Sequence, residues 1–364
     1  MYYSARHFLV YCLWAWSVGL AAPAMAQPNS SASAPATRPA IERGIDWLAD
    51  RIPRWMVEHN CASCHHQGDA ARAILLANDR GYVDKHTVLQ TSLQWCASPA
   101  EWTRNHGDPR ASDHRLAEIQ FSFTLLRSAQ RKPPVEGDSA SALQSRAKSK
   151  ITEAADMLRR SQAGDGHWHL TEVDELGSPI THGDLLLTGE AASVVVSAGR
   201  TEDLLSAVKS WRWLCDQRPR NLFEASSQLL ALAWLESSLK AKPSSTIDLA
   251  SANEARQACW HRLRSATEPE EGIGPYQNSP AENFDSALAL WALSHDQQAV
   301  DRDLVVSLQR YLLARQQADG SWSETTRFSQ VESYAHRVST TAWVLQALMQ
   351  SSPPADNQPR INRD

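Results

Sequence analysis

The chain has 364 residues and a formal net charge of −5, a balance that offers no particular affinity for nucleic acid. Beyond its first residues no segment is long and apolar enough for a transmembrane helix. Between polar, Ser/Pro-rich tails lie about 310 residues, two average domains by length or one large barrel, and internal repeats decide between them.

In chain order, Arg6 and His7 form a short positive region before the apolar run Phe8 to Ala22, and Ala24-Met25-Ala26 offers an A-x-A cleavage site. Residues 1–26 therefore read as a secretory signal peptide, so the mature chain is expected to be secreted or periplasmic, with no transmembrane anchor after cleavage. A lipoprotein site at Cys12 is disfavoured by bulky Tyr11. Residues 27–40 ("QPNSSASAPATRPA") read as a flexible linker, and 353–364 as a disordered tail.

From 41 to 352 the apolar periodicity is helical throughout. Longer amphipathic segments at 41–58, 85–97, 144–162, 201–217, 251–265 and 301–317 each precede a segment that is small-residue-rich and nearly apolar all round, at 69–79, 116–129, 188–199, 222–235, 284–294 and 339–350. A helix apolar on every face must be buried on every face, while an amphipathic one meets water on one side. Six alternations of the two kinds predict six helix hairpins, arranged either as an inner and an outer ring or as an open solenoid.

Two turns carry the same string, Gln162-x-x-Asp165-Gly166-x-Trp168 and Gln316-x-x-Asp319-Gly320-x-Trp322, with Gly274 and Tyr276 of "EGIGPY" as a weaker relative. Asp-Gly suits a tight turn, and the tryptophan can cover the helix end while its indole N–H finds a carbonyl. These turns resemble the QW motifs of the squalene-hopene cyclase and prenyltransferase repeat family. The resemblance implies an all-α fold, a single closed (α/α)6 toroid. The family's catalytic motifs do not carry over. No D-x-D-D acid motif occurs, and "EVDE" (Glu172, Asp174, Glu175) reads as a solvated acidic turn. Tyr334 and His336 lack the D-x-C string that completes the prenyltransferase zinc site. Trp291 and Trp343 fit either core packing or an apolar central cavity.

One stretch stands apart. Cys61-Ala62-Ser63-Cys64-His65 sits in the turn between the first amphipathic and the first apolar segment, the slot that Q-x-x-D-G-x-W fills in later repeats. In a c-type site two cysteine sulfurs bond the porphyrin vinyl groups and the adjacent histidine is the proximal iron ligand, so Cys61, Cys64 and His65 are the candidate haem-binding residues, with His65 on iron. The second axial position has His106, His114, His182 or His336 as candidates, with Met157 the only methionine worth weighing. Two rivals use the same atoms: a zinc or copper site on Cys61, Cys64 and His65 or His66, completed by Cys96 or another histidine, and a structural or redox Cys61–Cys64 disulfide. Cys96, Cys215 and Cys259 read as buried thiols. Asp69, Glu118, Glu190, Glu224 and Asp285 lie in early turns of the apolar segments, where acids favour the helix dipole and where they would also make an acidic rim. His167 and His169 flank Trp168 and read as a solvated pair that could join a rim site.

Two functions compete. One is an exported haem protein with a redox or electron-transfer role and a periplasmic redox partner. The other is a catalytic or binding toroid for a terpenoid-like or polysaccharide ligand, with the C-x-x-C-H stretch as a metal or disulfide staple.

Overall fold

The computed structural model describes residues 37–59, 64–98, 114–131, 138–169, 176–242, 247–266, 272–295, 302–325, 327 and 334–352. Among them are twelve α-helices, one π-helical segment and no strand. The helices are α1 (Thr37–His59), α2 (Ala71–Asp79), α3 (His86–Cys96), α4 (His114–Ala129), α5 (Asp138–Ser161), α6 (Gly183–Ala198), α7 (Thr201–Asp216), α8 (Leu222–Lys240), α9 (Leu249–Arg264), α10 (Asn283–His295), α11 (Arg302–Ala314) and α12 (Tyr334–Ser351). The π-helical segment, Cys64–Ala70, runs directly into α2. The expected leader and the C-terminal tail lie outside the described residues.

Every segment expected from periodicity is a helix, and the ends differ where polar residues continue the backbone ladder. α6 starts at Gly183 rather than 188, α12 at Tyr334 rather than 339, and α1 at Thr37 within the stretch expected to be linker. Apolar periodicity reports burial, whereas helical hydrogen bonding runs on through polar residues.

Even-numbered helices form the buried set. In α10 every residue from Phe284 to Leu293 is buried, and in α6 every residue from Leu186 to Val196. Their hydroxyls are satisfied within the helix: Ser193 donates to the Gly189 carbonyl, Ser226 to Leu222 and Thr124 to Gln120. Small residues permit close approach, since a Cβ on Gly189 would lie 2.7 Å from that of Ala231 on α8. α8 packs between α6 and α10, α12 packs on α10, and α4 packs on α6 and on the π-helical segment. α12 also packs on α1, on α2 and on the π-helical segment. The odd-numbered helices lie against these and keep a solvent face; α11, for example, buries Leu304, Leu308, Tyr311 and Leu312 and leaves Val306 exposed.

The two Q-x-x-D-G-x-W turns are built alike. Gln162 donates to the Gly166 carbonyl at 2.9 Å, and Gln316 to the Gly320 carbonyl at 2.9 Å. Trp168 donates its indole N–H to the Leu158 carbonyl at 3.0 Å, and Trp322 donates to Leu312 at 2.6 Å. Each glutamine also reaches a further odd-numbered helix: Gln162 donates to Ser206 of α7 at 3.0 Å, and Gln316 to Ala40 of α1 at 2.8 Å. The glycines take φ of 108° and 93° and press against backbone, Gly166 on Lys209 of α7 and Gly320 on Arg43 of α1. In the third turn the equivalent is Gly272 (φ 84°), packed on the Tyr311 ring of α11, and not Gly274. Tyr276 is 53% exposed and covers no helix end as the tryptophans do.

Candidate functional site

Cys61 lies outside the described residues. Cys64 and His65 are the first two residues of the π-helical segment. Their successors are anchored. His66 and Gln67 are fully buried, and the His66 ring stacks on Trp55 of α1 with centroids 4.6 Å apart. Cys96 of α3 donates its thiol to the Gln67 carbonyl at 3.1 Å. Burial pushes the Cys96 thiol far up in pKa, more than nearby Arg72 draws it down, which matches its role as a hydrogen-bond donor to Gln67.

Deeper in, residues 176–182 fold into the ends of the buried helices. Gln120 of α4 donates to the Ile180 carbonyl at 2.8 Å, Trp343 of α12 to Pro179 at 3.3 Å, and Arg327 to Gly177. A Cβ on Gly177 would stand 2.5 Å from the Phe223 ring and from the His182 carbonyl, so the loop passes here only as glycine. His182 ends the loop with φ 61°, a conformation rare outside glycine. Its ring holds it there. Nδ1 lies 3.2 Å from Glu190 and Nε2 3.4 Å from Asp69, both carboxylates fully buried. Burial alone would lower the imidazole pKa, but the two carboxylates outweigh it and raise it to about 9. Arg72 pairs with Asp69, approaches Glu190 at 3.8 Å and donates to Thr124 at 3.1 Å, and Ser339 donates to Asp69 at 2.7 Å.

These pairs revise the reading of the early-turn acids. Glu190 is mid-helix in α6, and Glu118 pairs at 2.8 Å with buried Lys150 of α5. Asp285 pairs with Arg327, and burial still raises its pKa; beside it Glu282 rises to about 7 through burial and the Asp285 charge. Glu224 alone behaves as a helix-start acid, accepting from the Arg220 backbone N–H at 2.7 Å. Charge therefore organises the packing here and does not make an open acidic rim.

Between these helices the centre is aromatic. Phe123 touches Trp234, which meets Trp291 edge-on, then Trp343, Phe284 and Phe223 in sequence. Trp343 is therefore core, and His182 abuts its edge at 5.1 Å. One narrow cleft enters from the far ends of the buried helices, with free space of about 20 Å³, room for about one water, lined by Arg72, Phe123, Arg127, Trp234, Trp291 and Gln346 among others. The indole N–H groups of Trp234 and Trp291 are buried without a hydrogen-bond partner among the described residues. Arg127 and Arg80 charges, after burial itself, hold His295 near this mouth at a pKa of about 4.

His182 is excluded as a second axial ligand, because both ring nitrogens face carboxylates in the interior. His336 is half-buried in the first turn of α12, and burial lowers its pKa against the pull of Glu324. Met157 is exposed on α5. Cys215 is buried, with its thiol pushed up to about 12 by burial, and Cys259 donates to Gln228 at 3.2 Å. His114 and Tyr334 open α4 and α12. His106, Glu172, Asp174 and Glu175 lie outside the described residues. Periodicity missed the 176–182 loop and its cationic partners, although Arg72 inside the apolar run "DAARAILL" signalled a buried acid.

No family model matches the chain, and no curated protein matches it. Among solved structures the chain is similar to a crystal structure described as a protein from Actinoplanes, with a TM-score of 0.54 and 15% identity over 86% of this chain and 99% of that one. At that identity the likeness is one of fold alone, an all-helical chain matched along nearly its whole length.

Proposed function

We propose that the protein is an exported, closed (α/α)6 toroid that acts as a rigid scaffold for a covalently attached c-type haem at its rim, in a redox or electron-transfer role with a partner in the same compartment. Closure is supported by the turns. The α11–α12 turn makes onto α1 the glutamine bond and glycine contact that the α5–α6 turn makes onto α7. The chain thus treats its first helix as the neighbour that follows its last repeat. The QW-like turns and the helix pairs fit the squalene cyclase and prenyltransferase repeat architecture. Cyclase chemistry is disfavoured, since the acid motif is missing from the sequence and the centre is filled by the molecule's own aromatics.

The observation that carries the haem reading is C-x-x-C-H at the entry to α2. Two thiols three residues apart and an adjacent imidazole are the donor set that a c-type haem requires, so the residues fit the group. Bound haem supplies one-electron redox chemistry. The chain's part is to hold the attachment stretch still: His66 on Trp55 and Gln67 under Cys96 anchor the residues that follow it. His336, on the helix that packs against the π-helical segment, would be a further imidazole on a neighbouring element to help hold the group. The test is expression with c-type maturation factors in an exporting host. The expected product is red, with a Soret band that survives acid-acetone extraction; loss of the band on extraction would refute covalent attachment.

A further inference from the structure

We propose that the turn between α5 and α6 holds a divalent transition-metal ion, of the zinc or copper kind, on His167, His169 and Asp184. Backbone from 167 to 169 is non-helical, and Trp168 is drawn inward, its backbone N–H bonded to the Thr188 hydroxyl at 3.2 Å and its indole to Leu158. In extended chain the neighbours of an inward residue point outward together, which places both imidazoles on the solvent side. Asp184, in the first turn of α6, meets them there. One donor atom from each of the three residues lies within 4.8 Å of the others.

The surroundings fit a ligand set. Asp165 Oδ1 stands 2.6 Å from His167 Nδ1 and fixes that ring, as a carboxylate partner steadies a metal-binding histidine. The same ring stacks on Trp213 at 4.9 Å. His169 Nδ1 rests 2.6 Å from Asp184 Oδ2. An ion would replace that direct bond and draw the donors to the roughly 3.3 Å spacing of a tetrahedral site.

The twin turn supplies the independent argument. Trp322 binds Thr341 as Trp168 binds Thr188, at 3.1 Å, so counting back one helical turn from each threonine pairs Arg337 with Asp184. Ser321 and Ser323 correspond likewise to His167 and His169, and Asp319 to Asp165. In the twin, the Arg337 guanidinium sits among the others, bonded to Asp319 at 3.1 Å and to Ser321 at 2.7 Å. The α5–α6 turn keeps the same scaffold, replaces that built-in cation with a carboxylate, and turns both serines into imidazoles. A divalent ion restores the missing charge. Two imidazoles and one carboxylate are borderline donors suited to zinc or copper, and three protein ligands leave a position open to water or substrate.

The test is titration of the tag-free mature protein with Zn²⁺ by calorimetry and with Cu²⁺ by electron paramagnetic resonance. One ion per chain is expected at this turn, with nitrogen coupling in the copper spectrum. His169→Ala, at an exposed position, and Asp184→Asn should each weaken binding by at least about tenfold with an unchanged circular dichroism spectrum, while Cys61→Ser/Cys64→Ser should retain the site. Equal affinity in wild type and His169→Ala would overturn the assignment, as would loss of the ion in the cysteine variant alone.

Discussion

Replacing Gly320 by alanine distinguishes a closed ring from an open array. Gly320 has φ 93°, and a Cβ there would stand 2.6 Å from the Arg43 carbonyl oxygen and 2.9 Å from its carbon. The left-handed conformation costs an L-residue about 1–2 kcal/mol wherever it occurs. The clash adds about 1–3 kcal/mol, because its partner is backbone and cannot rotate away. A closed ring therefore predicts a loss of about 2–5 kcal/mol. Gly166→Ala is the internal reference, with φ 108° and Lys209 backbone at 2.7 Å, and should lose about as much. Gly164→Ala is the control, since a Cβ there meets nothing within 4 Å. In an open array α1 would not lie under the last turn, and Gly320→Ala would cost only the conformational part. The assay is urea denaturation followed by circular dichroism at pH 7. A Gly320→Ala loss close to 1 kcal/mol beside a Gly166→Ala loss of about 4 kcal/mol would refute closure.

Three further outcomes follow from the same geometry. The His182 pKa is raised to about 9 in the fold from about 6.5 unfolded, so its contribution is complete below about pH 6.5 and is lost as pH rises through about 9, by up to about 3 kcal/mol. His182→Asn should flatten that slope of stability against pH between 6.5 and 9, and an unchanged slope would contradict the buried imidazolium. Gln162→Ala and Gln316→Ala each remove bonds to a turn carbonyl and to the next helix, and each should cost about 1–3 kcal/mol in denaturation. Cys96, Cys215 and Cys259, buried with Cys96 and Cys259 donating their thiols to fixed oxygens, should resist a thiol reagent in the native protein and react only after unfolding; rapid native labelling would show that these helices open.

The twelve helices were legible because burial on all faces and burial on one face leave different patterns in sequence, as "LFEASSQLLALAWL" and "DRDLVVSLQRYLLARQQ" illustrate. The paired turns were legible too, since Asp-Gly before a tryptophan encodes a local geometry that recurs at Gly166 and Gly320. What could not be read was long-range. The 176–182 loop is held by Gln120, Arg327 and Trp343, whose distances along the chain leave no periodic trace. A weak motif also misled: in "EGIGPY" the glycine that must take positive φ is the one packed on Tyr311, which spacing from the tyrosine does not identify. For the acids, dipole logic held at Glu224 and failed at Glu118 and Glu190, because each faces a buried cation that is remote in sequence or, for Glu190, a protonated histidine.

Intact mass of the denatured mature protein, produced with working c-type maturation, reads directly what Cys61, Cys64 and His65 carry. The expected mass is that of the polypeptide plus one haem, with Cys61→Ser and Cys64→Ser each reducing the attached fraction and His65→Ala retaining the mass while changing the visible spectrum. A mass equal to that of the bare polypeptide would contradict the haem assignment.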